Sequence, residues 1–447
     1  MPPTQSQKPQ PGRGKKFLFA LIITGVSVVA ALVVAEIFLR IVPVPGISYH
    51  SYYYNPITGG RYYPNTTNIY RSARGDYVRR NINSWGFMDY ERALAKGPGV
   101  LRIGFFGDSY TEAQQVRIED SFVQVIERRL NAGAGESAGA GESATRSGAT
   151  ATGDGARSRD DDTSATGDSA RSEGDDTSAA GDGARSGGDD TSAAGGNRPR
   201  VECMSFGISG YSTLQSYLEG RTWMDKFDLD WVVYVFVEND PGDQVRELKR
   251  SPGIPYAVAR GDSFDIDFSF RDRFGYKAKR LHRMFQYVKS HSLVISTIVG
   301  RLKLLGKEGV KMRVDPEDMD MAGTGTRTGI PAPTTPPSAW PDTLLAQTAA
   351  LGARVLGTWA GEVKTAGRSF AVLYMPRPRE LGKPYEEQDS WASWLAGVCE
   401  QNGVYLIDPS PRLLEAMSRR EEVFYDHLTE SGHKAVGDAF VDYFAQP

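Results

Sequence analysis

The sequence predicts an α/β protein: a doubly wound, mostly parallel sheet flanked by helices, behind one N-terminal transmembrane helix. Three observations predict it. Short apolar runs end again and again in glycine or polar turns and are followed by helical spacing. A charge-free run, Phe17 to Ala35, stands near the start. The 447 residues, 40% of them hydrophobic, suffice for a large core. With a net charge of −3 and basic residues scattered, the chain lacks the stripe that binds nucleic acid.

Residues 1–16 are Pro, Gln and Lys rich and end in Arg13, Lys15 and Lys16. The apolar run that follows nearly covers a bilayer core at about 1.5 Å per residue. It continues into Glu36 and Arg40 without a small-x-small cleavage site, which predicts an uncleaved anchor over 17–42 with its cationic end in the cytoplasm. The rest is then extracytoplasmic, periplasmic or at the cell surface, on a single-pass protein of the inner (cytoplasmic) membrane. Residues 43–98, rich in Tyr, Asn, Pro and Gly, are expected as a spacer packed on the main domain. Their tyrosines, among them Tyr52, Tyr62 and Tyr63, suit ordinary packing, a membrane interface or a sugar site.

The main domain is expected over 99–447. Leu101 to Phe106 is a strand too short and apolar for a helix; Gly107-Asp108-Ser109 follows as a turn, and Phe122, Val125, Ile126 and Leu130 mark a helix. From 132 to 198 the composition collapses to Gly, Ala, Ser, Thr, Asp and Arg, with a fourteen-residue unit beginning at Gly153, Gly167 and Gly181. The units present alanine alone to a neighbour, so a solenoid has nothing to bury, and the segment reads as a flexible acidic insert.

The pattern then resumes. Val201 to Phe206 is a strand ending in the glycine-rich turn around Gly210; a helix runs through Leu214, Tyr217 and Leu218; and Asp230 to Val237, apolar on both faces, is the central strand, ending in Glu238-Asn239-Asp240. Residues 245–340 break the alternation. They are expected to hold a hairpin, Tyr256–Ala259 with Phe264–Phe268, a basic helix over about 276–305 and a Thr, Gly and Pro rich loop, together a cap over the crevice. Helices near 341–365 and 388–400, strands over 370–374 and 404–408, and a last helix from Ala435 to Phe444 complete the sheet. Thr429 is that helix's natural N-cap, leaving His427 on the loop before it.

The chemistry gathers at strand ends. In an open α/β sheet reactive groups collect at the carboxyl edge, where Ser109, Gly210 and Asn239 all fall. A serine hydroxyl needs a base, and histidine titrates in the useful range. Of the five histidines, His50 follows the anchor and His282 and His291 lie in the basic helix, leaving His427 and His433; His427 is favoured because His433 falls inside a helix. Gly261-Asp262-Ser263 repeats the tripeptide between hairpin strands, where it is a turn and nothing more.

Four blocks in this order, Gly107-Asp108-Ser109, Gly210 within Ser209-Gly210-Tyr211-Ser212, Asn239-Asp240, and Asp426 to Gly432, resemble the SGNH, or GDSL-like, hydrolases over roughly residues 80–130 and 200–445. The resemblance implies an SGNH, flavodoxin-like three-layer fold with Ser109 as nucleophile and His427 as base. It also implies an oxyanion hole from the Ser109 and Gly210 N–H groups and the Asn239 amide, without metal or cofactor. The chain departs from the family twice: Val237 stands where Gly usually precedes Asn, and Phe424 where an acid often precedes His. Asp426 is then the candidate acid, with Glu422 or a Ser-His dyad as alternatives. Three functions are compatible with the resemblance: a serine esterase or deacetylase on an acylated glycan or lipid, an O-acyltransferase using the same residues, and a non-catalytic surface protein. Cys203 and Cys399 are the only cysteines, two buried thiols or one disulfide.

Overall fold

The computed structural model describes residues 13–42, 51–71, 77–132, 199–273, 280–308, 344–378, 381, 391–425 and 427–444. Nearly all of the acidic insert, and Asp426, lie outside them.

Helix α1 (Arg13–Ile41) comes first; its stretch Phe17–Ile41 is long and apolar enough to cross a membrane. Strands β1 (Tyr52–Asn55) and β2 (Gly59–Tyr62) pair antiparallel, as do β3 (Thr67–Arg71) and β4 (Tyr77–Asn81). The main sheet opens with β5 (Val100–Phe106), followed by the short α2 (Ser109–Glu112) and by α3 (Phe122–Asn131), then β6 (Arg200–Ser205), α4 (Thr213–Trp223) and β7 (Trp231–Phe236). Next come α5 (Asp240–Asp243), α6 (Arg246–Lys249), the hairpin β8 (Tyr256–Arg260) and β9 (Ser263–Asp267), α7 (Phe270–Arg273), α8 (Arg280–His291) and α9 (Leu293–Glu308). Helix α10 (Leu344–Thr365), β10 (Ser369–Tyr374), α11 (Trp391–Gln401), β11 (Tyr405–Ile407), α12 (Ser410–Ser418) and α13 (Glu430–Phe444) close the chain.

The five strands of the main sheet run parallel in the order β6-β5-β7-β10-β11. Because side chains alternate across a strand, the sheet feeds two cores. Phe106, Val232, Tyr234, Phe236, Val372 and Tyr374 face α4, α10 and α11. Ile103, Phe105, Val233, Val235, Ala371 and Leu373 face α3, α12 and α13. Strand order reverses beside β5: the chain steps outward to β6 and then back across to β7. In α/β sheets ligands bind outside the carboxyl ends of the strands at such a reversal, which here falls between β5 and β7.

Two features differ from the reading of the sequence. Residues 51–71 and 77–81, read as part of a spacer, carry two small antiparallel sheets. The buried Arg80 of β4 donates to the carbonyls of Ala113 (2.6 Å) and Val116 (3.0 Å), tying that segment to the end of α2. The basic stretch expected as one helix is two, parted at Ser292. Of the two states the sequence left open for the cysteines, the structure has the first: Cys203 and Cys399 are both free and buried.

Candidate active site

Ser109 begins α2 directly beyond β5. The Asp108 carboxylate caps the helix, accepting from the Tyr110 N–H at 2.9 Å, and Ala113 closes it in the left-handed conformation (φ 53°). Held at this corner, the half-buried Ser109 lies with its Oγ 2.8 Å from His427 Nε2, a contact across 318 residues of chain. His427 occupies a tight turn in which its carbonyl accepts from Tyr425 N at 2.9 Å and Phe424 bridges to Leu428. Its ring leans on Tyr110, centroids 4.8 Å apart. Thr429, whose carbonyl receives the His433 N–H at 2.8 Å, starts α13 just beyond, so the helix sets the turn's height above the sheet.

Burial, aided by the positive charge of Arg377, lowers the His427 pKa to about 4. The imidazole is therefore neutral at neutral pH and its Nε2 can accept the Ser109 hydroxyl proton, which puts the ring hydrogen on Nδ1. Nδ1 is buried with no hydrogen-bond partner among the described residues. Asp426, the acid candidate, lies outside them, and Glu422 is exposed. His433 lies six residues on, sealed in the core. It accepts from Phe122 N at 3.3 Å, stacks on the Phe122 ring and is lowered to about 3, chiefly by burial.

Gly210 and Asn239 stand beyond the neighbouring strand ends β6 and β7; among the described residues neither is hydrogen-bonded to Ser109 or His427. Gly210 has φ +77°, a left-handed backbone that glycine adopts without penalty. The Asn239 amide is braced from both ends. Its Oδ1 accepts from Arg377 Nη2 at 2.7 Å and its Nδ2 donates to Asp243 at 3.1 Å, while the second amide hydrogen has no partner among the described residues. Lys249 pairs with the same Asp243 oxygen at 2.7 Å, and Arg377 pairs through Nε with the buried Glu238 at 3.1 Å.

Two groups near the site were not singled out in the sequence. Arg377, in the loop after β10, comes from a fourth carboxyl-edge connection. Glu112, three residues after Ser109, is fully buried and accepts hydrogen bonds from Tyr62 and from Ser209, the residue before Gly210. Burial raises it to about 7 despite those bonds. Glu112 thereby links the Ser109 corner, the Gly210 turn and the β1–β2 sheet, whose Tyr52 and Tyr62 rings stack at 4.3 Å. An acid at the third position after the serine, on a one-turn helix, was the only available signal. Among the described residues, no group of three or more His, Cys, Asp or Glu is arranged to hold a metal ion.

No family model matches the chain, and no curated protein matches its sequence. Among solved structures, the crystal structure of an acetyl xylan esterase is similar to it, with 12% identity over 77% of this chain and 99% of that one and a TM-score of 0.31. A likeness that slight carries no argument about this chain, so the functional reading rests on the site itself.

Proposed function

We propose that the protein is an SGNH-type serine esterase or deacetylase, anchored in the cytoplasmic membrane by α1, with its α/β domain outside. The observation that carries the reading is the 2.8 Å contact between Ser109 Oγ and His427 Nε2 at the switch point of the parallel sheet. In this reading His427 takes the Ser109 proton as the oxygen attacks an ester carbonyl, and the C–O bond to the alcohol breaks as His427 returns that proton to the leaving oxygen. Water, deprotonated by the same imidazole, then releases the acid from the acyl-serine.

The tetrahedral oxyanion is received by the Ser109 and Gly210 N–H groups and the second hydrogen of the Asn239 amide. Arg377 and Asp243 support that last role by fixing the amide's orientation. Asp426 remains the proposed partner of Nδ1, since it adjoins the histidine and Nδ1 has no other described partner. The substrate class proposed is an ester-linked acyl group on a glycan or lipid. Steady-state hydrolysis of an aryl acetate by the full chain, beside Ser109→Ala and His427→Ala, tests the reaction. Retention of wild-type rates by either variant overturns it. Repeating the assay with an oligosaccharide acceptor separates hydrolysis, which yields free acetate, from transfer, which yields an acetylated sugar.

A further inference from the structure

Helix α8 is turned inside out for a helix on a water-soluble surface. Met284, Phe285, Tyr287 and Val288 are 56%, 46%, 54% and 40% exposed. At about 100° per residue they share one face. Ser290 is buried, its hydroxyl donating to the Tyr52 carbonyl at 3.3 Å. Helix α9 continues the theme, with Ile298 and Leu302, four residues apart, 49% and 61% exposed. Between 280 and 308 there are six Lys or Arg residues against the single acid Glu308.

The elbow between these helices is fastened to α1. The Glu36 carboxylate accepts from Ser292 Oγ (2.9 Å) and from the N–H groups of Leu293 and Val294 (both 3.1 Å), occupying the N-terminus of α9. Arg40 Nη2 donates to the His291 carbonyl at 2.9 Å, and Leu39 packs with Leu293 and Ile69. Glu36 is the first charge after the run Phe17–Ala35, whose nineteen residues rise about 28 Å, close to one bilayer core. The elbow is therefore pinned where α1 leaves the hydrocarbon.

We propose that α8 and α9 lie on the outer surface of the bilayer that α1 crosses, their apolar faces seated among lipid headgroups and upper acyl chains. This rests on the reading of α1 as a membrane span. An apolar face edged with basic residues is the composition of interfacial helices, and it favours anionic lipid. The domain is then held against the membrane by two attachments instead of swinging on one.

The test uses the full chain in nanodiscs containing phosphatidylglycerol, with a nitroxide on a single introduced cysteine. Cys203 and Cys399, being buried, stay unlabelled in the folded protein. Phe285→Cys, Val288→Cys and Leu302→Cys probe the proposed faces, Val28→Cys reports α1, and Ser263→Cys, on the exposed hairpin, is the aqueous reference. The expected result is collision with oxygen exceeding collision with a water-soluble nickel chelate at 28, 285, 288 and 302, and the reverse at 263. Nickel-dominated spectra at 285, 288 and 302 with lipid exposure at 28 overturn the proposal and leave the anchor standing. Water exposure at 28 overturns both. Shielding from both reagents, with dipolar broadening that vanishes on dilution with unlabelled protein, assigns the faces to a second copy and also overturns it.

Discussion

Among the described residues Gly-Asp-Ser occurs twice, in two unlike settings. At 107–109 the tripeptide turns out of a buried parallel strand. A Cβ on Gly107 would stand 2.9 Å from the Val235 carbonyl and closer still to Thr111 Oγ1, Asp108 is buried as a helix cap, and Ser109 meets an imidazole. At 261–263 it forms a hairpin tip. Gly261 has φ +55° with open space around it, Asp262 is exposed, and Ser263 Oγ donates to the Arg260 carbonyl at 2.9 Å. The difference teaches that the tripeptide is turn chemistry in both places. What makes one copy a candidate site is the strand before it, the helix after it, and a histidine delivered from the far end of the chain.

The contrast yields predictions of decreasing size. Ser109→Ala is expected to lower kcat for ester hydrolysis about 10⁴- to 10⁶-fold, the scale of losing a nucleophile, while Ser263→Ala leaves it unchanged; equal effects in the two variants would erase the distinction. Asn239→Ala, which removes one proposed oxyanion donor, is expected to cost about 10² to 10³ in kcat with KM little altered, as read from initial rates. Backbone crowding separates the glycines next. Gly107→Ala is expected to cost about 3 kcal/mol in denaturant unfolding because the backbone of β7 cannot give way. Gly261→Ala meets no neighbour and carries only the left-handed penalty of about 1 kcal/mol.

The smallest effect is on pH dependence. The base works unprotonated, and His427 is held at about 4, below the ordinary imidazole value, by burial and then by Arg377. Activity is therefore expected to persist as pH falls through 6 and to fail near 4, in kcat/KM, which reports the free enzyme. Arg377→Gln removes a cation beside the ring, so the acid limb should move to higher pH. A limb that stays in place would remove Arg377 from the electrostatics of the base. The same depression has a stability consequence. Between about 4 and 6.5 the unfolded chain binds a proton that native His427 refuses, so this group's contribution to stability is lost as pH falls through that window.

The parallel strands were legible because β5 and β7 are short apolar runs closed by glycine or polar residues, a pattern written locally. Ser109 and His427 were legible as chemistry, since an accessible hydroxyl at a strand end needs a base and the histidines were few. Glu112 was not: by residue type it belongs on a wet helix face, and it is buried by Tyr62 and Ser209, which lie 50 residues before it and 97 after it. Arg377 was hidden in the same way, its role set by Asn239 across 138 residues. The break between α8 and α9 was invisible because the N–H groups freed at Leu293 and Val294 are taken by Glu36, more than 250 residues earlier. Residues 51–71 and 77–81 hid their strands because Tyr, Asn and Gly obscure the alternation of apolar and polar residues.

The central claim is that Ser109 Oγ is made nucleophilic by the histidine beside it. The most direct measurement is peptide mass spectrometry after treating the full chain with a fluorophosphonate. The account predicts the phosphonyl adduct on Ser109 and not on Ser263, its loss in Ser109→Ala, and greatly slowed formation in His427→Ala. Adduct at other serines with Ser109 unmodified, or labelling of Ser109 at the wild-type rate without His427, would contradict it.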